Sequence, residues 1–409
     1  MQTPSPSETL AGTQDRLPLE QQVARLQALL EATRQVHSTM RVNDVLTQAA
    51  RILVRELEMD GALFVSPASP EPLVSYGQVP PAPHEGCYRF PLLSRDHHLL
   101  AELIVAPPEQ AVFSLYEQDF VEGLALQTAV ALENATLHER DLEWARVQQD
   151  LDAARSLQQS LLPAAMPEIS GYSVAARSTT CYEVGGDYLD SVAMPDGSHL
   201  MVVADVAGKG LASAIVATSF RSALRSLAGQ GLPLEEMAAR MGKQHWEEGN
   251  EARRRYVTAL FLRLKPESGE IEIVNAGHNP PALVLPDDSV VMIEASGTPL
   301  GMLPEMSYAA ETFSFPAGSR ILLYTDGLTE VFREEEEFGS ERLVALFRDA
   351  PVAHSGIILN SLWETLASFS LNAPQTDDMT ALAIYHLDHA TRAESARAVD
   401  SSQQEFVHP

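Results

Sequence analysis

The sequence predicts an α+β protein in which antiparallel sheets are covered by helices. Short apolar segments of strand length recur from residue 171 to residue 387, and turn sequences such as Pro195-Asp196-Gly197 and Ser268-Gly269 separate several of them. The helical patterns are clustered between the strands, at about 211–228, 233–247, 340–348 and 355–369. Hairpin-linked strands with clustered helices favour antiparallel sheets over a doubly wound parallel sheet.

The N-terminal region predicts a separate small α+β domain at residues 19–136. Residues 1–18 are rich in Pro, Ser and Thr and predict a flexible tail. Two amphipathic helical patterns are followed by the short strands "GALFV", "YRFPLL" and "LLAELIVA", with a proline-rich stretch at 67–83. Ser114 and Glu117 predict a capping box that opens a further helix.

The pattern of this region, above all "FSLYEQDFVEGLALQTAVALENATL", resembles a GAF domain. GAF domains are small-ligand or dimerisation sensors, so the resemblance implies an unknown small ligand or protein partner here. The sequence offers no anchor residue for a named ligand.

Residues 137–165 predict a linker helix between two domains. Leu137, Trp144, Leu151 and Gln158 are spaced by seven, and a complementary set of four interleaves with them. Over about three heptads, this spacing favours either a weak two-stranded coiled coil, which would make a homodimer, or one amphipathic helix packed on a neighbouring domain. Two prolines, at 163 and 167, end the segment.

Charge and composition exclude several classes of partner. The 409 residues carry 28 basic and 56 acidic side chains, a formal net charge of −28. Such a surface disfavours nucleic acid and anionic membranes. The two cysteines form no C-x-x-C pair, and neither a signal peptide nor a membrane-length apolar run is present. We therefore expect a cytoplasmic protein. Residues 389–409 predict a polar tail.

The stretch "VVADVAGKG" at 202–210 is similar to a phosphate-binding loop but lacks its spacing. A P-loop requires G-x-x-x-x-G-K-[ST]. Val203 stands where the first glycine should be, and Lys209 is followed by Gly210. The sequence therefore gives little support to a nucleotide-binding loop, and Asp205, which precedes the loop, is the more informative residue.

Aspartates stand at the ends of several predicted strands. Asp187 opens one strand, Asp205 and Asp326 end two others, and Asp377 and Asp378 directly precede the last. Each taken alone is most simply a turn or cap residue. Because antiparallel neighbours share strand ends, Asp205, Asp326 and Asp377 are predicted to meet at one sheet edge. Clustered carboxylates repel unless they are protonated or bridged by hard divalent cations.

Six ordered motifs then resemble one family. "EVGGDYLD", "VADVAGKGLASA", "NAGHNPP", "GTPLGM", "LLYTDGLTE" and "TDDMTALAI" are similar to motifs of the SpoIIE/RsbU-type bacterial phosphatases, a branch of the metal-dependent type-2C protein serine/threonine phosphatases. The resemblance covers about residues 150–388, and "ARSLQQSLLP" is similar to the helix that precedes this catalytic domain. The phosphatase domain is placed at 166–388.

The resemblance implies a fold and a metal site. The fold is an αββα sandwich of two stacked antiparallel sheets flanked by helices. The cofactors are two divalent cations, Mn²⁺ or Mg²⁺. Carried over motif by motif, Asp205 would bridge the ions, and Asp326 and Asp377 would complete one of them. The Val206 carbonyl would help to hold the other ion, with Asp187 near it through water. Asp378 is the second choice beside Asp377.

Two further residues are candidates for substrate binding. Lys209 is a rare cation beside the proposed centre, where it either attracts the substrate phosphate or is simply solvated. His278 in "NAGHNPP" is either a loop-building residue, which the resemblance favours, or an acid–base group.

The resemblance implies a phosphoserine/phosphothreonine protein phosphatase. Its substrate would be a phosphorylated STAS-type anti-anti-sigma protein in a partner-switching pathway of sigma-factor regulation, with the GAF-like domain as regulator. Two alternatives stay open at this stage: a catalytically degenerate sensor or adaptor, and a metal-dependent hydrolase of small phosphoesters.

Overall fold

The chain forms two compact units that divide after Gln148. The computed structural model describes residues 19–67, 69–79, 87–108, 113–350, 354–371 and 373–388. The tails that the sequence predicts at 1–18 and 389–409 lie outside the described residues. Within the described part of the chain, no helix is long and apolar enough to cross a membrane.

The first unit is a four-stranded antiparallel sheet with helices. Helices α1 (Leu19–Val36) and α2 (Val42–Glu56) precede strands β1 (Gly61–Ser66), β2 (Ser69–Gly77), β3 (Tyr88–Leu93) and β4 (Leu99–Ala106), and the strand order is β2-β1-β4-β3. Strand β2 lies in the stretch that the sequence analysis described only as proline-rich. It is an edge strand, where a missing amide hydrogen costs no ladder bond. Its partner β1 contributes Phe64 to a core that also contains Leu53 and Leu124.

A single helix, α3 (Leu115–Leu161), begins in the first unit and ends in the second. The predicted capping box is confirmed. The Ser114 amide donates to the Glu117 carboxylate at 2.6 Å, and the Glu117 amide donates to Ser114 Oγ at 3.2 Å. Leu137 and Trp144 of the heptad pattern are 52% and 72% exposed. Whether this helix pairs with a second copy stays a prediction.

The second unit confirms the predicted αββα sandwich. Its strands form two five-stranded antiparallel sheets, which we call sheet I and sheet II. Sheet I has the order β12-β9-β8-β7-β6, and its strands are β6 (Tyr188–Ala193), β7 (His199–Val206), β8 (Val257–Lys265), β9 (Glu270–Ala276) and β12 (Glu311–Ser314). Sheet II has the order β11-β10-β13-β16-β5, and its strands are β5 (Tyr172–Thr179), β10 (Ala282–Val284), β11 (Val290–Met292), β13 (Arg320–Tyr324) and β16 (Met379–His386).

Alternating side chains of each strand build the layers. In β7, Met201 and Val203 join a core shared with Leu382 of sheet II, whereas Val202 and Ala204 face a second core on the helix side. Successive side chains of a strand point to opposite faces, so alternate residues of β7 enter two different cores and the strand is buried on both faces.

Helices cover the outer face of each sheet at the predicted positions. Helices α4 (Leu211–Ala228) and α5 (Leu234–Glu247) pack on sheet I, and α7 (Gly339–Asp349) and α8 (Ser355–Phe369) pack on sheet II. A one-turn helix, α6 (Asn250–Arg253), follows α5. The acidic run 334–337 is exposed and forms part of a short hairpin of β14 (Phe332–Arg333) and β15 (Glu336–Glu337).

An ion pair between a buried aspartate and a partly exposed arginine fixes helix α4 on strand β6. Asp190 is fully buried and accepts two hydrogen bonds from the Arg225 guanidinium, at 2.7 and 2.8 Å. The Tyr188 hydroxyl donates to the same carboxylate. A bidentate pair of this kind orients the helix because its geometry is planar and directional.

Removing Arg225 should therefore destabilise the domain. Arg225→Met keeps the aliphatic stem but leaves a buried carboxylate without its counter-charge, and we expect a loss of about 3 kcal/mol in the free energy of unfolding. Urea denaturation measures this loss. The control is Arg240→Met, whose partner Glu236 is exposed, and its cost should stay below about 1 kcal/mol. Equal costs for the two variants would contradict the role of the Asp190 pair.

Candidate active site

Five aspartates converge at one end of the sandwich. Asp187 directly precedes β6, and Asp205 is the penultimate residue of β7. Asp326 begins a short 3-10 helix, Asp326–Leu328, just after β13, and Asp377 and Asp378 directly precede β16. We call these five residues the acid cluster.

The sequence prediction that Asp205, Asp326 and Asp377 meet at one sheet edge is wrong. Asp205 belongs to sheet I, whereas Asp326 and Asp377 flank strands of sheet II. The acid cluster therefore forms where the ends of two stacked sheets face each other. Antiparallel pairing correctly brought Asp326 beside Asp377, because β13 pairs with β16. It did not reveal that β7 lies in the other sheet.

Glycines allow the segments of the acid cluster to approach closely. A Cβ atom on Gly186 would lie 2.8 Å from the Val206 carbonyl oxygen and 3.4 Å from Asp205 Oδ1. A Cβ atom on Gly327 would lie 1.9 Å from the Asp378 carbonyl oxygen, a distance that no side chain tolerates. In each sheet, the close approach of two neighbouring backbone segments thus depends on a residue without a side chain.

Thr325 connects the two sheets and was missed by the sequence analysis. Its buried hydroxyl donates to Asp187 Oδ2 at 2.8 Å and accepts a hydrogen bond from the Thr380 amide at 2.9 Å. It directly precedes Asp326 in the motif "LLYTDGLTE", so its position beside an acid was the available signal. Its role as the partner of Asp187, 138 residues away, is decided by the fold alone.

Asp378 holds the loop that carries Asp187. Its two carboxylate oxygens accept hydrogen bonds from the Cys181 and Gly186 amides, both at 2.7 Å. A carboxylate whose oxygens both accept from backbone amides is suited to fixing a loop. This geometry favours Asp377 over Asp378 as the candidate metal ligand, in the order that the sequence analysis gave.

Lys209 is 45% exposed, yet it is bound to the turn that carries Asp377. Its Nζ lies 2.8 Å from Asp377 Oδ2 and donates to the Thr376 carbonyl oxygen at 2.6 Å. The hydrogen bond with Asp377 is the largest influence on the pKa of Lys209 and raises it. The lysine of the glycine-rich loop therefore holds the turn that carries Asp377.

Burial and mutual repulsion make the acid cluster electrostatically costly. Burial, followed by repulsion from Asp326, Asp377 and Asp378, raises the pKa of Asp205 to about 7. Burial and then repulsion from Asp205 raise the pKa of Asp187 well above its usual range. Burial and then Asp377 raise the pKa of Asp326. Like charges that share a dry site favour protons or cations as partners.

His278 lies within the loop structure at the end of β9. It is 4% exposed, its Nδ1 lies 2.8 Å from Thr258 Oγ, and its amide donates to Asn275 Oδ1 at 2.8 Å. Burial lowers the pKa of His278 to about 4, so the ring is neutral at neutral pH. Thr258 in turn pairs with Asp205 across β7 and β8. These contacts agree with the loop-building interpretation of His278.

The acid cluster supplies the donor set that hard divalent cations prefer. Its members offer carboxylate oxygens, the Val206 carbonyl lies beside them, and their raised pKa values indicate missing positive charge. Among the described residues, no three Asp, Glu, His or Cys side chains already stand at metal-binding distances. Asp377 contacts Lys209 through Oδ2, and Asp187 accepts a hydrogen bond from Thr325 through Oδ2.

Gln158, near the end of α3, holds the same loop from outside. Its Nε2 donates to the Gly185 carbonyl oxygen at 2.7 Å, and its Oε1 accepts from the Gly185 amide at 3.1 Å. In the sequence, Gln158 was identified only as a member of the heptad pattern. A polar residue at an apolar heptad position was the signal that it has another partner.

Comparison with solved structures defines the class of the fold. The SiaA-PP2C domain of Pseudomonas aeruginosa superposes with a TM-score of 0.52 at 21% identity, covering 60% of this chain and 99% of that domain. The second unit therefore has the fold of a PP2C-type phosphatase domain.

Comparison with protein families is more specific. The family described as stage II sporulation protein E (SpoIIE) matches residues 195–386, all of which lie in the second unit. The matched segment contains Asp205, Asp326, Asp377 and Asp378, and Asp187 lies just before it.

Two curated relatives extend the comparison. Protein IcfG of Synechocystis sp. is 24% identical over 264 residues, which are 58% of this chain and 41% of IcfG. Phosphoserine phosphatase RsbU of Bacillus subtilis is 23% identical over 298 residues, which are 72% of this chain and 85% of RsbU. The chain thus spans well under half of the first relative and most of the second.

The raised pKa of Asp205 predicts how pH affects stability without metal. The folded state binds a proton here more tightly than the unfolded state, so this carboxylate lowers stability as pH rises from about 4 to about 7. Asp205→Asn removes the effect and should stabilise the protein by about 2 kcal/mol at pH 8 in EDTA, with little gain at pH 4. Thermal unfolding at both pH values measures the difference.

Asp196→Asn is the matched control. Hydrogen bonds from Ser198 lower the pKa of Asp196, so its carboxylate stabilises the fold at neutral pH and this variant should lose stability there. A lower melting temperature of Asp205→Asn at pH 8 in EDTA would show that the acid cluster is not repulsive.

Proposed function

We propose that this protein is a metal-dependent phosphatase that removes phosphate from phosphoserine or phosphothreonine in a protein. The acid cluster is the observation that carries the proposal. Five aspartates gathered at a solvent-accessible end of a sandwich repel one another and so destabilise the fold. A bound cation would neutralise this repulsion, and destabilised groups of this kind are typical of functional sites. The match of residues 195–386 to the SpoIIE family model supports the same reaction.

The residues present fit two divalent cations, Mn²⁺ or Mg²⁺. Asp205 would be shared between them, Asp326 and Asp377 would complete one, and the Val206 carbonyl would complete the other with Asp187 nearby. Such cations activate water at neutral pH and offset charge on phosphoryl oxygens.

The chain's own residues prepare this site. The Thr325 hydroxyl orients Asp187, and the Lys209 ammonium holds Asp377 in the turn before β16. Asp378 fixes the loop of Gly186 through its amide. Each of these contacts reduces the motion of an oxygen donor, which lowers the entropic cost of binding a cation.

The proposed substrate is a phosphorylated STAS-type anti-anti-sigma protein in a partner-switching pathway. The relative RsbU is named as a phosphoserine phosphatase, and this supports a phosphoserine protein as the substrate class. The net charge of −28 disfavours a nucleic-acid partner. Both cysteines are free thiols, in keeping with action in the cytoplasm.

We further propose that the first unit is a GAF-like sensor that regulates the phosphatase through α3. Gln158 supports this route because it bonds to both backbone groups of Gly185, two residues before Asp187. Exposed apolar residues along α3, including Trp144 and Val147, support a homodimer formed through this helix.

The reaction is tested by phosphate release from a phosphoserine peptide and from p-nitrophenyl phosphate with Mn²⁺. Asp205→Ala should lower kcat/KM at least about a thousandfold, since several kcal/mol of transition-state stabilisation depend on the metal site. Asp349→Ala, which removes an exposed aspartate, is the control and should keep full activity. Equal rates for wild type and Asp205→Ala would refute the metal-site assignment. Inactive wild-type protein would instead favour a sensor or adaptor role.

The two hydrogen bonds between the Gln158 side chain and the Gly185 backbone, which we call the clamp, give a second test. Gln158→Ala removes two hydrogen bonds from the loop of Asp187 and should lower kcat about tenfold, by roughly 1.4 kcal/mol. Gln159→Ala alters the exposed neighbour on the same helix and should leave kcat unchanged. The clamp would have no catalytic importance if both variants behaved alike.

A further inference from the structure

A cavity of about 460 Å³ opens directly beside the acid cluster. It lies between α8, the turn that precedes β16 and the segment that follows Asp326–Leu328. Its volume is within the range of sites that bind ligands. None of the catalytic assignments above uses it.

The cavity has an apolar floor and an open apolar rim. Trp363, Leu366 and Met379 form the floor and are each less than 10% exposed. Phe332, which is 40% exposed, and the exposed Ala367 stand at the rim. A site of this composition recognises an apolar group, because its burial is the main favourable term available there.

Hydrogen bonds fix the walls of the cavity. The Gln375 side-chain amide donates to the Thr179 carbonyl oxygen at 2.8 Å, and Trp363 Nε1 lies 3.2 Å from Thr179 Oγ. Thr376 Oγ donates to the Glu330 carbonyl oxygen at 3.2 Å. The pocket is therefore preformed, and a ligand would not have to order it.

Two lining residues are chain neighbours of the acid cluster. Gly327 follows Asp326, and Thr376 precedes Asp377. A chain whose phosphoserine is held at the acid cluster therefore has the cavity within its reach. Because an extended chain advances about 3.3 Å per residue, a side chain within about three residues of the phosphoserine reaches it.

We propose that this cavity receives an apolar side chain of the phosphoprotein substrate and so determines specificity. The inference rests on the proposed phosphatase function and adds the recognition element next to the phosphoserine. Among the described residues that line the cavity, Glu334 is the charged one. An acidic residue next to the apolar side chain is therefore disfavoured, and a basic one is tolerated.

The first experiment uses seven-residue phosphoserine peptides with an alanine background. One Phe or Leu is placed in turn at each position from −3 to +3, and kcat/KM is measured with Mn²⁺. At one or two adjacent positions, the apolar residue should raise kcat/KM about tenfold over the all-alanine peptide. Replacing a neighbouring alanine by glutamate should reduce that gain.

The second experiment fills the cavity from its rim. Ala367→Phe and the smaller Ala367→Leu add bulk on α8 without removing a core residue, and each should abolish the preference mainly through KM. Ser368→Phe adds the same bulk at the next, exposed residue, which does not line the cavity, and should keep the preference. Hydrolysis of p-nitrophenyl phosphate, which is too small to reach both sites, should be unchanged in all three variants.

The outcomes separate the two proposals. Peptide hydrolysis without any positional preference would overturn the role of the cavity and leave the phosphatase function intact. A preference that persists in both Ala367 variants would also overturn it, as would loss of the preference in Ser368→Phe. Failure of the wild type to hydrolyse any peptide or p-nitrophenyl phosphate would overturn the phosphatase function and this inference together.

Discussion

Repulsion among buried carboxylates is the constraint on which the second unit depends. Asp187 and Asp205 approach from sheet I, and Asp326, Asp377 and Asp378 from sheet II, so the packing of the two sheets brings like charges together. The shared apolar core holds the sheets in place against this repulsion. Hydrophobic burial over a whole sandwich far exceeds the cost of a few desolvated acids, so the domain can maintain a destabilised site.

A small network of polar contacts holds individual carboxylates of the acid cluster in place. Lys209, Thr325 and the backbone amides that face Asp378 each satisfy one acid, and none of them satisfies Asp205. Burial and repulsion from the neighbouring aspartates therefore keep the pKa of Asp205 at about 7. The arrangement leaves the proposed shared ligand free while its neighbours are positioned. Gly186 lets its segment approach Val206 within sheet I, and Gly327 lets its segment approach Asp378 within sheet II.

Much of this molecule was predictable from local sequence. The order of the long helices and of most strands in the second unit, the bounds of α4 and α8, and the capping box at Ser114 all follow from side-chain periodicity and capping chemistry. These features depend on residues within a few positions of one another. Strand β2 was missed because its prolines, acceptable at an edge, hide the strand pattern.

The sequence by itself determined that acidic residues stand at strand ends with glycines beside them, and that six ordered motifs belong to one kind of phosphatase domain. Only the tertiary structure decided that the acids come from two sheets, that Lys209 binds Asp377, and that Thr325 and Gln158 hold the segment of Asp187. The reason is physical. Which strands share a sheet, and which side chains meet across more than a hundred residues, is set by the packing of whole layers, and no local pattern encodes it.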